Sequence, residues 1–198
     1  MTIEMWGGSV MALPKEETYT YVDYLAWDEN ERIELLYGAP VLMAPPSRRH
    51  QEISGELHRQ LSNFLEGKKC RVYAAPFGVR LFEREGDGPE DVDTVVEPDL
   101  SLICDHSKLD DQGCKGAPDM VIEILSPSTQ RHDRLTKLNL YQRAGVREYW
   151  IVNPEDKTVQ VMLLEEGVYR VADVRTAQDI IKVNSLEGCY LELEKVFR

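Results

Sequence analysis

The chain has 198 residues, 42% of them hydrophobic and 29% charged, which is the balance of one globular domain spanning residues 1–198. The formal net charge of −12 argues against a broad phosphate-binding surface, because nucleic-acid-binding proteins usually carry a basic footprint. No apolar run approaches the roughly 20 residues of a membrane-spanning helix. Residues 1–15 lack the pattern of a secretory signal and are expected to form a loose tail.

Four cysteines are scattered through the chain. No two of them form a CxxC pair, so a zinc site is not expected. An even count would permit two disulfides, but a domain of this size does not need them. We therefore expect reduced thiols in a cytoplasmic protein. The four are Cys70, Cys104, Cys114 and Cys189.

The N-terminal half predicts two helices separated by strands. A short helix is expected near residues 18–25, and RIELLYGAPVLMAP at 32–45 predicts two strands around a turn. Within residues 47–67 the apolar positions recur every three or four residues, which predicts an amphipathic helix. Residues 70–83 favour a strand pair, or one bent strand, broken at the Pro-Phe-Gly sequence.

Two strand-like segments and a second helix follow. VVEPDLSLIC at 95–104 and DMVIEIL at 119–125 each predict a strand. RHDRLTKLNLYQRAG at 131–145 predicts an amphipathic helix that Gly145 ends. The residues expected on its inward face are Leu135, Leu138 and Tyr141.

The last third of the chain predicts mainly strands. REYWIVNP at 147–154 indicates a buried strand, residues 157–174 a hairpin turning at Glu166 and Gly167, and residues 189–197 a short strand or turn. The passage from 120 to 152 favours a parallel strand–helix–strand crossover, whereas the hairpins favour antiparallel pairing. We therefore expect the α/β class, with a mixed β-sheet flanked by helices.

Two of the predicted strands carry a carboxylate where an aliphatic residue would fit better. Asp99 begins an apolar alternation, and Glu123 stands among four aliphatic residues. An isolated ionised carboxylate in a dry site is costly, so it needs a partner, a metal ion or a raised pKa. Either both side chains lie at strand ends in contact with water, or a divalent cation with oxygen ligands, typically Mg²⁺, lies between them.

Lys137 has two interpretations. It can form a solvated i,i+4 ion pair with Asp133, or it can turn toward the strand carboxylates. In the second case its ammonium could orient a water molecule or stabilise the charge that develops on a phosphorane. The aromatic residues of this region are interpreted as packing residues rather than base-stacking residues. They are Tyr141, Tyr149 and Trp150.

Three segments carry a resemblance to a known family: RIELLYGAPVLMAPPSRRHQ, VVEPDLSLI and MVIEILSPSTQRHDRLTKLNLYQRAGVREYWIVNP. In this order they resemble segments of the Uma-type restriction endonuclease family, within the PD-(D/E)XK nuclease superfamily. The resemblance covers about residues 21–171 and is most specific over 123–154. It implies a restriction-endonuclease-like core and metal-dependent phosphodiester hydrolysis.

Carried over by position, the resemblance makes Asp99 and Glu123 the ligands of Mg²⁺, with Mn²⁺ as an alternative ion. In the superfamily pattern a lysine stands two residues after the acid, and here that position is Leu125. An aliphatic side chain cannot replace an ammonium. The resemblance therefore makes Lys137, on the following helix, the candidate substitute.

Three further residues match family positions. Glu34 could be an additional acidic ligand, or it could form a local salt bridge. His50 could contact a phosphate or form a hydrogen bond in the core, and Gln51 is a weaker suggestion of the same kind.

Two functions follow from these residues, and a third is weaker. The first is a Mg²⁺-dependent endonuclease acting on DNA, and the second is a binding module that keeps the fold and has lost cleavage. The third is a small-molecule phosphoesterase. Nucleases of this type often cut two strands as dimers, so a homodimer is expected. A local positive surface on the acidic chain could come from Arg48, Arg49, Arg131, Arg134 and Lys137.

Overall fold

The computed structural model describes residues 17–27, 32–126 and 132–198, and only the backbone at 132–134. The helices are α1 (Tyr21–Tyr24), α2 (Arg48–Leu65), α3 (His132–Ala144) and α4 (Leu193–Val196). The first strands are β1 (Ile33–Leu36), β2 (Ala39–Leu42), β3 (Arg71–Ala74), β4 (Val79–Arg80), β5 (Val95–Val96), β6 (Leu100–Ile103) and β7 (Leu109–Asp110). The others are β8 (Gly113–Lys115), β9 (Met120–Ile124), β10 (Glu148–Asn153), β11 (Thr158–Glu165), β12 (Val168–Thr176), β13 (Ile180–Lys182) and β14 (Tyr190–Glu192).

The central sheet has the strand order β12-β11-β10-β9-β6-β3 within the described part of the chain. Strands β9 and β10 run parallel, and the other neighbouring pairs run antiparallel. Apolar residues of α2 pack on one face of the sheet, and those of α3 pack on the other. The structure thus confirms the α/β class and a mixed sheet flanked by helices, including the parallel pair that the crossover predicted.

A second sheet was not predicted. Its strand order is β2-β1-β5-β4-β8-β7, and β13 pairs with β14 in a separate hairpin. The segment VVEPDLSLIC is therefore not one strand, because β5 belongs to the second sheet and β6 to the central sheet. Pro98 lies between them and has no N–H to donate to a ladder, which favours a break there. Asp99 consequently lies where the chain passes from one sheet to the other.

Several local predictions are confirmed. Ser47 caps α2, with its Oγ accepting from the N–H of His50 at 3.2 Å. The β11–β12 hairpin turns at Glu166 and Gly167, both with positive φ. The C-terminal segment contains β14 and also the short helix α4. The expected tail at 1–15 lies outside the described residues, and the single domain remains a prediction.

The inward face of α3 differs from the prediction. Leu135 is 65% exposed, Leu138 is partly buried, and Tyr141 is buried as expected. The helix instead turns Lys137 and Leu140 inward. The side chain of Lys137 is oriented by carboxylates on the strands below it, and the apolar periodicity of the helix alone could not show this.

The prediction of four reduced cysteines is wrong for one pair. Cys70 and Cys104 form a disulfide, with their Cα atoms 4.0 Å apart. They directly flank β3 and β6, whose antiparallel register pairs Arg71 with Ile103 and so places the two cysteines opposite each other. The other two cysteines are free and buried. The argument for a cytoplasmic location rested on reduced thiols and loses that support.

In the part of the chain that the structure describes, no helix is both long and apolar enough to cross a membrane.

Candidate active site

The register of the central sheet brings Asp99 and Glu123 together. Strands β6 and β9 are antiparallel, and Leu100 pairs with Ile122. The next pair along this register is Asp99 with Glu123, so the two acids are cross-strand neighbours. Two residues 24 positions apart in sequence are therefore neighbours where β6 begins.

Glu123 is buried and has an unusual ionisation equilibrium. Burial is the main reason that the pKa of this carboxyl is raised from 4.5 to about 7, while the ammonium of Lys137 lowers it. The nearby carboxylates of Asp99 and Glu34 raise it further. This carboxyl is therefore partly protonated near neutral pH.

Lys137 bridges two carboxylates from different sheets. Its Nζ donates to Glu34 Oε1 at 2.9 Å and to Glu123 Oε1 at 3.0 Å. Glu34 lies on β1 of the second sheet, is 1% exposed, and also accepts from the N–H of Glu97 at 3.0 Å. Burial lowers the pKa of Lys137, but the two carboxylates outweigh burial and raise it above its ordinary value, so the lysine is protonated at neutral pH.

Tyr141 is a member of this cluster that the sequence interpretation missed. Its hydroxyl donates to Glu123 Oε1 at 2.5 Å, and its ring is fully buried. Burial, followed by the charge of Glu123, raises the pKa of this phenol well above its usual value, so it remains a donor. The available signal was its position four residues after Lys137, which puts both side chains on one face of α3.

Asp99 makes its contacts with α2 and with the backbone of β9 rather than with α3. Its Oδ2 accepts from the N–H of Ile124 at 2.7 Å and lies 3.2 Å from His50 Nε2. Burial lowers the pKa of His50, but the hydrogen bond and charge of Asp99 raise it more, so the net shift is upward. The Nδ1 atom of His50 is buried and has no partner among the described residues.

A cleft of about 160 Å³ opens beside Asp99 along α2. Among the described residues that line it, Asp99 is the one carboxylate. Its polar lining comprises Arg32, His50, Gln51, Ser54, His58 and Asp99. The predicted site residues therefore form two groups, with Asp99 between them. The first group, beside α3, is Glu34, Glu123 and Lys137. The second group, on α2, is His50 and Gln51.

The described residues do not form the local positive surface that the sequence suggested. Lys137 is buried in its ion pairs, Arg48 pairs with Glu52, and Arg49 contacts Glu155 and a backbone carbonyl. Arg131 and the side chain of Arg134 lie outside the described residues, as does the proposed pairing of Asp133 with Lys137.

Comparison with known proteins places the chain in a family. The family model Uma2, described as "Putative restriction endonuclease", matches residues 21–194. The chain belongs to this family. The uncharacterized protein slr1290 of Synechocystis sp. is 29% identical over 182 residues, covering 89% of this chain and 90% of that protein. The fold is also that of a putative nuclease of DUF820 from Anabaena variabilis, with a TM-score of 0.69, 19% identity, and coverage of 90% of this chain and 97% of that one.

The donor atoms at the Uma2 site are compatible with a small divalent cation. Each carboxylate has one engaged oxygen, while Asp99 Oδ1 and Glu123 Oε2 accept no hydrogen bond from a described residue. No group of three or more His, Cys, Asp or Glu side chains in the described part of the chain could hold a metal ion. Two carboxylates still suffice for Mg²⁺, which commonly keeps several waters and also binds substrate phosphates.

Proposed function

We propose that this Uma2 protein hydrolyses phosphodiester bonds in DNA with the aid of Mg²⁺ or Mn²⁺. The observation that carries the proposal is the pairing of Asp99 with Glu123 across β6 and β9, with the ammonium of Lys137 3.0 Å from Glu123. Membership of a family of restriction endonucleases and the nuclease-like fold support the nuclease class. Hard oxygen donors and a nearby fixed cation are the groups that phosphoryl chemistry requires.

Each residue of the site has its own proposed role. Asp99 and Glu123 would hold the cation, which when bound supplies an activated water and neutralises charge on the scissile phosphate. Lys137 is a permanently charged donor that can stabilise the charge developing on the phosphorane. Glu34 holds the Lys137 ammonium in place through its 2.9 Å bond, so we assign it a positioning role rather than that of a metal ligand.

We assign the substrate side of the site to the cleft along α2. His50 and Gln51 line it, and its scarcity of carboxylates contrasts with the net charge of −12 of the whole chain. A DNA strand that meets the protein mainly here makes few phosphate contacts. The dependence of DNA binding on salt concentration should therefore be shallow.

The direct test is plasmid cleavage with Mg²⁺, Mn²⁺ or EDTA. The wild-type protein should nick or linearise the plasmid only with metal, and Glu123→Ala and Lys137→Ala should lose this activity. Lys195→Ala is the matched control, because Lys195 forms an exposed ion pair with Glu192 that includes none of the site residues. Variants that cut as fast as wild type would refute the site assignment.

Metal binding without cleavage of any nucleic acid by the wild-type protein would favour the alternative, a binding module that has lost catalysis. Sedimentation analysis of the same samples tests the proposed homodimer. A monomer under conditions of full activity would contradict it.

A further inference from the structure

The hydrogen bonds at Glu123 are concentrated on one of its two carboxylate oxygens. Lys137 Nζ and the Tyr141 hydroxyl both donate to Oε1, at 3.0 and 2.5 Å. A carboxylate oxygen offers two lone-pair sites, so these two donors fill Oε1. Oε2 accepts no hydrogen bond from the described residues and remains available to a ligand.

We propose that Tyr141 is a positioning residue for the metal site, which holds Oε1 of Glu123 so that Oε2 would be left to bind the cation. The inference rests on the proposed function, because it assumes that Glu123 is a metal ligand. It adds a role for a residue that does not contact the metal or the substrate.

The surroundings of Tyr141 suit a positioning role. Its ring is 0% exposed and lies against Tyr149, with ring centroids 5.1 Å apart, so packing limits the movement of the phenol. The glutamate side chain has several rotatable bonds, and a single donor would leave its carboxylate free to rotate. Two donors from one helix face, Lys137 and Tyr141, instead hold Oε1 from two directions.

Asp99, directly before β6, shows the same arrangement. Its Oδ2 accepts from the N–H of Ile124 and contacts His50, while Oδ1 accepts no hydrogen bond from a described residue. Each acid thus has one oxygen fixed by the protein and one oxygen left for a ligand. Outer partners that orient a metal-binding side chain in this way typically contribute about 10–100-fold to metal affinity.

The test compares two isosteric variants by calorimetric titration with Mn²⁺ at pH 8. Tyr141→Phe should weaken Mn²⁺ binding by about tenfold or more, because Glu123 loses one of its two orienting donors. Tyr169→Phe is the matched control. Tyr169 is another buried tyrosine with one hydroxyl bond, 2.7 Å to the carbonyl of Val146, and its loss should leave the Mn²⁺ affinity unchanged.

Melting temperatures of both variants show whether they fold, and Glu123→Ala defines the loss of the site. Equal Mn²⁺ affinity of Tyr141→Phe and wild type would overturn the positioning role and leave the proposed hydrolase intact. An equal loss of affinity in both tyrosine variants would also overturn it, since a general effect on packing would then explain the result. Absence of Mn²⁺ binding by the wild-type protein would overturn both proposals together.

Discussion

Replacing Lys137 by methionine should destabilise the protein in a pH-dependent manner. The substitution keeps the length of the side chain but leaves Glu34 and Glu123 buried without their shared counter-charge. Removing one partner of a buried ion pair costs about 3–5 kcal/mol. In a chain of this size each kcal/mol lowers the melting temperature by roughly 2–4 °C, so at pH 8 the expected decrease is roughly 6–20 °C.

The loss of stability in Lys137→Met should become smaller as the pH falls. The folded-state pKa of Glu123 is raised from 4.5 to about 7, so its protonated form is favoured in the folded protein. Its contribution to stability is therefore complete below pH 4.5 and is lost as the pH rises through about 7, a change of roughly 3 kcal/mol. Without Lys137, which lowers this pKa, the loss extends to still higher pH.

Thermal unfolding followed by circular dichroism at pH 5.5 and pH 8 measures both effects. Lys195→Met is the control, because its exposed ion pair with Glu192 should contribute less than about 1 kcal/mol at either pH. A Lys137→Met variant as stable as wild type at pH 8 would refute the buried, two-carboxylate environment of this lysine. A deficit that is equal at both pH values would refute the role of Glu123 protonation.

Three further predictions follow from the site and the sheets. Glu123 must be ionised to bind a cation, so the Mn²⁺ affinity should fall about tenfold per pH unit below the Glu123 pKa of about 7. A Mn²⁺ affinity that stays constant between pH 5.5 and 7 would contradict this. Ser54→Glu, in the cleft, should weaken metal-free binding of a labelled DNA duplex by roughly fivefold, as measured by fluorescence anisotropy. The control Ser62→Glu lies two turns along α2, outside the cleft, and should not weaken binding. Equal effects of the two variants would exclude the cleft as the DNA contact. The Cys70–Cys104 bond closes a loop with a sequence separation of 34, so Cys70→Ser should lower the free energy of unfolding in urea by about 3–4 kcal/mol, and reductant should affect the wild type alone.

Local patterns predicted most of the individual elements. The spacing of apolar residues over 47–67 predicted α2, and the capping serine at its start is where the pattern placed it. The Glu166–Gly167 turn predicted the β11–β12 hairpin. These predictions succeeded because each depends on residues within one turn or one helix face. The family resemblance likewise rested on contiguous segments and agrees with the family model.

The chemistry of the site was visible in the sequence only as an anomaly. Asp99 and Glu123 were conspicuous because charged residues are costly among aliphatic ones. The sequence offered their meeting at one cation as one of two alternatives, because their proximity depends on the register of two strands. The division of VVEPDLSLIC between two sheets was likewise missed, because a proline indicates a break but not the partner of each half.

The sequence by itself determined the class of the fold, the positions of the main helices and the two acids that a hydrophobic strand should not contain. Tertiary structure alone decided that Glu34 and Lys137, 103 residues apart, form one ion pair, and that Tyr141 donates to Glu123. Secondary structure follows periodicities that a short segment contains. The partners of a buried charge depend instead on how separate segments pack. Because desolvation of an unpaired charge is costly, that packing is stable only when opposite charges are in contact.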